Sequence, residues 1–151
     1  MSLPTSADSR RYPARPVLGV GALILDGDRI LLVQRGNEPL KGWWSLPGGG
    51  VETGERLEAA IRREVQEETG LVVHPVEIAE IFERLMPDET GRCEYHYVLI
   101  DYVCRVEGGK LAAGDDSAAA VWFPHEELSA LRLTEGTLEV IERTFKRYGS
   151  R

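Results

Sequence analysis

The stretch RLEAAIRREVQEET, residues 56–69, constrains this chain more than any other part of it. Its spacing predicts a helix, closed by Gly70 as a left-handed C-cap residue with apolar Leu71 behind it. Three glutamates, Glu64, Glu67 and Glu68, fall within five positions of that helix. Residues three and four apart share a helix face, and like charges at that spacing cost about 0.2–0.5 kcal/mol per pair. On a wheel advancing about 100° per residue with Glu64 at the origin, Leu57, Ala60 and Ile61 fall within about 60° of it. Glu68 falls at about 40° and Glu67 at about −60°, while Glu58, Arg62 and Gln66 take the far side. The three glutamates therefore continue the apolar stripe and face a sheet, or a cleft against it. Inward carboxylates of one sign must be protonated, paired or bound to metal. Clustered acidic oxygens suit hard cations such as Mg²⁺ or Mn²⁺. An ordinary solvated face is the alternative for such a charge run, and helix geometry alone leaves both readings open.

Around this helix the chain reads as strands. VLGVGALIL (17–25) and RILLVQR (29–35) flank Asp26-Gly27-Asp28, a hairpin signal. Residues 36–55 form a long glycine-rich connection, and loops of that length inside a domain are usually functional. A strand region at 71–85 is expected to break at Pro75, and CEYHYVLIDYVCRV (93–106) is the clearest strand. A loop at 111–118 leads to a short strand at 119–123, a short proline-started helix at 124–131 and an amphipathic helix at 134–147. Leu138, Ile141 and Phe145 share one side of that last helix. Strands with helices between and after them predict an α/β fold, an α/β/α sandwich with a mixed β-sheet between helices. Residues 1–15 are expected to be a flexible N-terminal arm and 16–151 a single domain.

Charge narrows the partners. A net charge of −7 and a pI near 5.0 argue against duplex nucleic acid and anionic lipid surfaces. Anionic small molecules stay open, because a bound cation inverts the local sign. No apolar run approaches the twenty residues a membrane span needs, and MSLPTSADSRRYPAR lacks a secretory h-region, so a cytoplasmic location is expected. Cys93 and Cys104 lie eleven apart on one strand and so on opposite faces, which predicts free thiols.

The segment from Gly49 to Leu71 resembles the Nudix box, GX5EX7REUXEEXGU with U a bulky aliphatic residue. Gly49, Glu55, Arg63, Glu64, Val65, Glu67, Glu68, Gly70 and Leu71 all match. The resemblance implies the Nudix α/β/α sandwich. It implies a metal-dependent enzyme hydrolysing the pyrophosphate linkage of a nucleoside diphosphate joined to another moiety. It also implies that Glu64, Glu67 and Glu68 hold Mg²⁺ or Mn²⁺ with the Gly48 carbonyl, while Arg63 pairs with Glu55 and orients the helix. Loop acids near the last strand supply a base or further ligand in several members, which points to Asp115 and Asp116.

The tail YHYVLIDYVCRV…AAGDDS…VWFPHEEL…LTEGTLEVIER, with Pro87 beyond the box, is similar to ADP-ribose pyrophosphatase-type members. ADP-ribose, split into AMP and ribose 5-phosphate, is the substrate this implies. The alternatives are (d)NTPs, dinucleoside polyphosphates or sugar nucleotides, and, from another class, a non-catalytic nucleotide sensor. Members that sanitise oxidised dGTP use an asparagine near the start of the last helix, where this chain has Glu135-Gly136; its only asparagine is Asn37. Sensors degrade the box and append a DNA-binding domain, whereas every box acid is present here. The ADP-ribose group is frequently homodimeric, so the resemblance allows a homodimer. Arg35 and Arg84 are candidate phosphate clamps against a reading as surface charge. Phe82, Tyr95, Tyr97 and Trp122 are candidate stacking residues, with core packing the expected role for each.

Overall fold

The computed structural model describes residues 10–114 and 117–149. Its centre is β1 (Val17–Asp26), an almost continuous apolar run buried on both faces, as a central strand requires. β1 turns at Gly27 into β2 (Arg29–Arg35), but the two strands pair only at Leu25–Ile30 and Asp26–Arg29. Beyond that they splay apart. The connection that follows β2 returns into the gap as two short strands, β3 (Trp44–Ser45) on β2 and β4 (Gly48–Gly50) on β1. The long loop expected from sequence is thus partly sheet.

On its other side β1 runs parallel to β6 (Cys93–Gly109), which pairs antiparallel with the outer strand β5 (Leu71–Pro87). The break expected at Pro75 is not one. β5 is continuous, and Pro75 sits at a register shift where the strand bulges. An edge strand can spare the missing N–H, and a bulge accommodates the ring. β7 (Ser117–Pro124) covers the far edge of β2. A 3₁₀ segment (His125–Ala130) follows it, then α2 (Thr137–Tyr148). The remaining helix, α1 (Leu57–Thr69), lies between β4 and β5 in sequence.

Each helix covers one face of the sheet. Ala60, Ile61 and Val65 of α1 pack on Val20, Ala22, Ile24, Ile100 and Tyr102. Val140, Ile141 and Phe145 of α2 pack on Leu23, Ile30, Leu32 and Leu128 on the opposite face. Arg143 and Arg147 further tie α2 to Glu80 and Glu77 of β5. This is the α/β/α sandwich. Cys93 is exposed and Cys104 buried, both free. No described helix is long and apolar enough to cross a membrane.

Of the expected arm, residues 10–15 are described, and three contacts hold them beside the β5–β6 turn. The Tyr12 hydroxyl donates to Asp88 at 2.7 Å, the Tyr12 N–H donates to the Glu94 carbonyl at 2.7 Å, and Arg11 pairs with Glu94 at 2.8 Å.

Candidate active site

Helix α1 ends as its sequence demands. Gly70 has φ of 78° and donates to the Gln66 carbonyl, and the Leu71 N–H bonds the Thr69 hydroxyl. The last carbonyls of the helix are met by the loop before β7. The Gly114 N–H reaches the Glu68 carbonyl at 2.9 Å, the Ser117 hydroxyl reaches the same oxygen at 3.2 Å, and the Ala112 N–H reaches that of Thr69. Asp115 and Asp116 lie outside the described residues.

The middle and last turn of α1 lie against β4, and this brings the box residues together. Arg63 is the hub. Its Nε and Nη2 donate to the two oxygens of Glu55 at 2.7 and 2.8 Å, a bidentate pair. Nη1 reaches Glu64 at 2.7 Å and Glu67 at 3.5 Å, and Nη2 also donates to the Gly50 carbonyl at 3.1 Å. The Arg63 fork, helped by the Glu52 N–H, holds the Glu55 carboxyl down at about 2. Glu64 is pushed the other way by burial, which outweighs the Arg63 contact. A Cβ at Gly49 would stand 2.5 Å from the Glu64 carboxylate, so only glycine lets β4 approach it. Glu68 is half-buried and accepts from the Gly48 N–H at 3.2 Å.

Glu67 departs from expectation. Its side chain is 60% exposed, against 16% for Glu64. The buried stripe of α1 runs on through Val65 and Thr69, which moves its centre away from Glu67 and leaves that residue on the rim. Among the described residues no three carboxylate, imidazole or thiol groups already surround a common point. The donor set still fits a hard divalent cation. Its side-chain donors are all oxygen, two of its carboxylates are packed against a glycine strand, and Mg²⁺ normally takes only one or two carboxylates, completing its shell with water and phosphate oxygens.

Glu64 and Glu68 open into a cleft of about 690 Å³ that continues across the sheet to the start of α2. Its floor is the α2-facing side of β1, β6 and β5. Three of the four aromatic candidates, Phe82, Tyr95 and Tyr97, line it, which corrects their expected core role. Trp122 instead packs into the core on the α1 side. Arg35 and Arg84 also line the cleft, close enough that Arg35 helps burial lower the Arg84 pKa. Arg35 donates to the Pro39 carbonyl at 2.7 Å and Arg84 to that of Glu135 at 2.8 Å. Two lining residues escaped the sequence reading. Arg10 comes in from the arm beside Gly50. Asp101 was hidden in the apolar run YVLIDYV, where a lone carboxylate was the available signal.

Asp101 is 4% exposed, and burial, reinforced by Glu80 and opposed by Arg84, pushes its carboxyl up to about 6. A carboxyl raised in the fold favours the native state at low pH. That advantage is complete below the free value of 3.8 and is lost as pH rises through about 6. The difference amounts to about 3 kcal/mol. Asp101→Asn is therefore expected to match wild type near pH 4 and to exceed its Tm at pH 7.5. Melting curves across that range check it, and equal Tm differences at both ends would refute it.

Helix, glycine strand and paired arginine together have the form of a Nudix loop–helix–loop, and residues 15–144 match the family model described as the NUDIX domain. The chain belongs to the Nudix family and is a Nudix hydrolase, a class that uses a divalent metal ion. It is 38% identical over 121 residues to an ADP-ribose pyrophosphatase of Methanocaldococcus jannaschii, covering 80% of this chain and 69% of that one. It is 31% identical over 119 residues to the 8-oxo-dGDP phosphatase NUDT18 of Mus musculus, covering 76% of this chain but spanning only 34% of that longer protein. Among solved structures, the MutT NUDIX hydrolase of Burkholderia pseudomallei superposes with a TM-score of 0.75 at 30% identity, over 85% of this chain and 97% of that one.

Proposed function

We propose that this chain hydrolyses the pyrophosphate bond of ADP-ribose, giving AMP and ribose 5-phosphate. The observation that carries the reading is that Glu64 and Glu68 share one cleft with the guanidinium groups of Arg10, Arg35 and Arg84 and the rings of Phe82, Tyr95 and Tyr97. A diphosphate needs positive charge, and the groups joined to it need flat or polar walls. ADP-ribose is favoured by the Methanocaldococcus relative and by Glu135-Gly136 standing where purine-sanitising members place asparagine.

Mg²⁺ or Mn²⁺ would be held by Glu64 and Glu68, with Glu67 from the rim and the Gly48 backbone beside them. When bound, the ion supplies charge neutralisation on the phosphates and a water of lowered pKa. The chain's own groups do the rest. Arg63 fixes the rotamers of Glu55 and Glu64 through short charge-assisted bonds. Arg35, which lines the cleft, meets the anionic substrate. Asp115 or Asp116 accepts the proton of the attacking water, since the residues on either side of them bond the Glu68 carbonyl.

The test is a panel of ADP-ribose, sugar nucleotides, dinucleoside polyphosphates and dNTPs with Mg²⁺, with products identified by phosphorus NMR. ADP-ribose is expected to be hydrolysed with the highest kcat/KM. A tenfold advantage for any dNTP would overturn the substrate. Full kcat in both Asp115→Asn and Asp116→Asn would move the base to Glu64.

A further inference from the structure

The floor of the cleft sets a buried carboxylate near a buried N–H that has no acceptor among the described residues. Asp101 is 4% exposed, lines the cleft, and its side chain makes no hydrogen bond or ion pair among the described residues. The Nε of Arg84, on the neighbouring strand and the same face, is buried with no acceptor, while its Nη2 is held by the Glu135 carbonyl. A buried carboxylate with nothing to accept from is costly, and native chains keep such groups where a ligand meets them. The surroundings are shaped for a flat partner. Gly21 faces Asp101, where any Cβ would collide with the carboxyl, so the floor is cut away there. Leu99, two residues before Asp101 on β6, and its β5 partner Phe82 also line the cleft.

We propose that Asp101 is a specificity-determining residue that reads the base of the substrate. It accepts from the 6-amino group of an adenine ring whose neighbouring ring nitrogen accepts from Arg84. A donor next to an acceptor is what an adenine edge presents, and it engages the Asp101 carboxylate and the Arg84 Nε at once. Apolar and aromatic walls favour a base over a sugar. This rests on the reading of the chain as a hydrolase of ADP-linked substrates, and it assigns the part of the cleft floor that lies across Gly21 from β4.

A site built to bond a donor rejects an analogue that presents an acceptor there. Wild type is expected to favour ADP-ribose over IDP-ribose, in which the amino group is a carbonyl, by at least about tenfold in kcat/KM. Asp101→Asn and Asp101→Leu should narrow that preference to under about threefold, through KM for ADP-ribose and with kcat little changed. Binding supplies a readout independent of turnover. AMP, added to protein in chelator, should raise the Tm of wild type more than that of either variant. An unchanged base preference in both variants, or equal AMP shifts, would overturn the assignment. So would a loss of Tm in both variants at pH 7.5, because that marks Asp101 as structural. If wild type hydrolyses neither compound, the function reading fails, and the AMP shift still decides on Asp101.

Discussion

Glu68→Gln is expected to lower kcat at least about 10²-fold while leaving the fold intact, the scale seen when a preorganised electrostatic contact to the transition state is removed. Glutamine keeps the shape of the side chain and an oxygen for the Gly48 N–H, now 3.2 Å from the carboxylate. What it removes is the charge. Glu68 stands half-buried beside β4, where the local dielectric is low and a cation interacts strongly with it. Glu67 lies on the rim at 60% exposure, so Glu67→Gln should cost less than Glu68→Gln. The same variants separate by melting curves. Mg²⁺ that binds only the native state raises Tm by mass action, and the rise should shrink in Glu68→Gln. Full activity of wild type in excess chelator, or of Glu68→Gln in saturating Mg²⁺, would sink the assignment.

Arg63→Lys is expected to be nearly as damaging as Arg63→Ala, with kcat reduced about 10²-fold in both, the cost of a small misplacement in a site that works by positioning. A single ammonium cannot reproduce a fork that grips Glu55 by both oxygens, touches Glu64 and Glu67 and bonds the Gly50 carbonyl. Loss of the fork frees Glu64 at one side of β4 and loosens the turn that carries Glu55. KM should move little, since Arg63 acts through other carboxylates rather than on substrate. The acid limb follows from the same pair. Glu55 is depressed from 4.5 to about 2, so its contribution is present above about 4.5 and fades as pH falls through about 2. In Arg63→Ala that part of the acid-stability profile should flatten. A lysine variant with wild-type kcat would show that charge alone, without the fork, suffices.

Much of this was legible before any coordinates. The 3.6-residue period of α1, its Gly70 cap and the spacing of nine box positions are local facts, and local facts survive folding. Glu67 was misplaced because a wheel centred on one residue does not know where the stripe is deepest; Val65 and Thr69 decide that, and they do so by contact with the sheet. The strands β3 and β4 were unreadable for a different reason. Two and three residues long, one of them all glycine, they have no propensity of their own and exist because β1 and β2 part and leave backbone groups to satisfy. Pro75 read as a break because pairing partners, and hence edges, are not written in a single strand.

The splayed hairpin has a bearing on how such chains change over generations. By admitting β4 between its arms, it attaches the charged helix to the middle of the sheet through three glycines, while Asp101 sits on β6 and Phe82 and Arg84 on β5, on the other side of β1. Mutations on those outer strands reshape what enters the cleft without passing through the glutamates that do the cutting. One cutting edge can therefore be kept and handed a succession of different substrates, and an engineer wishing to retarget this chain should begin on β5 and β6 and leave residues 48–70 alone.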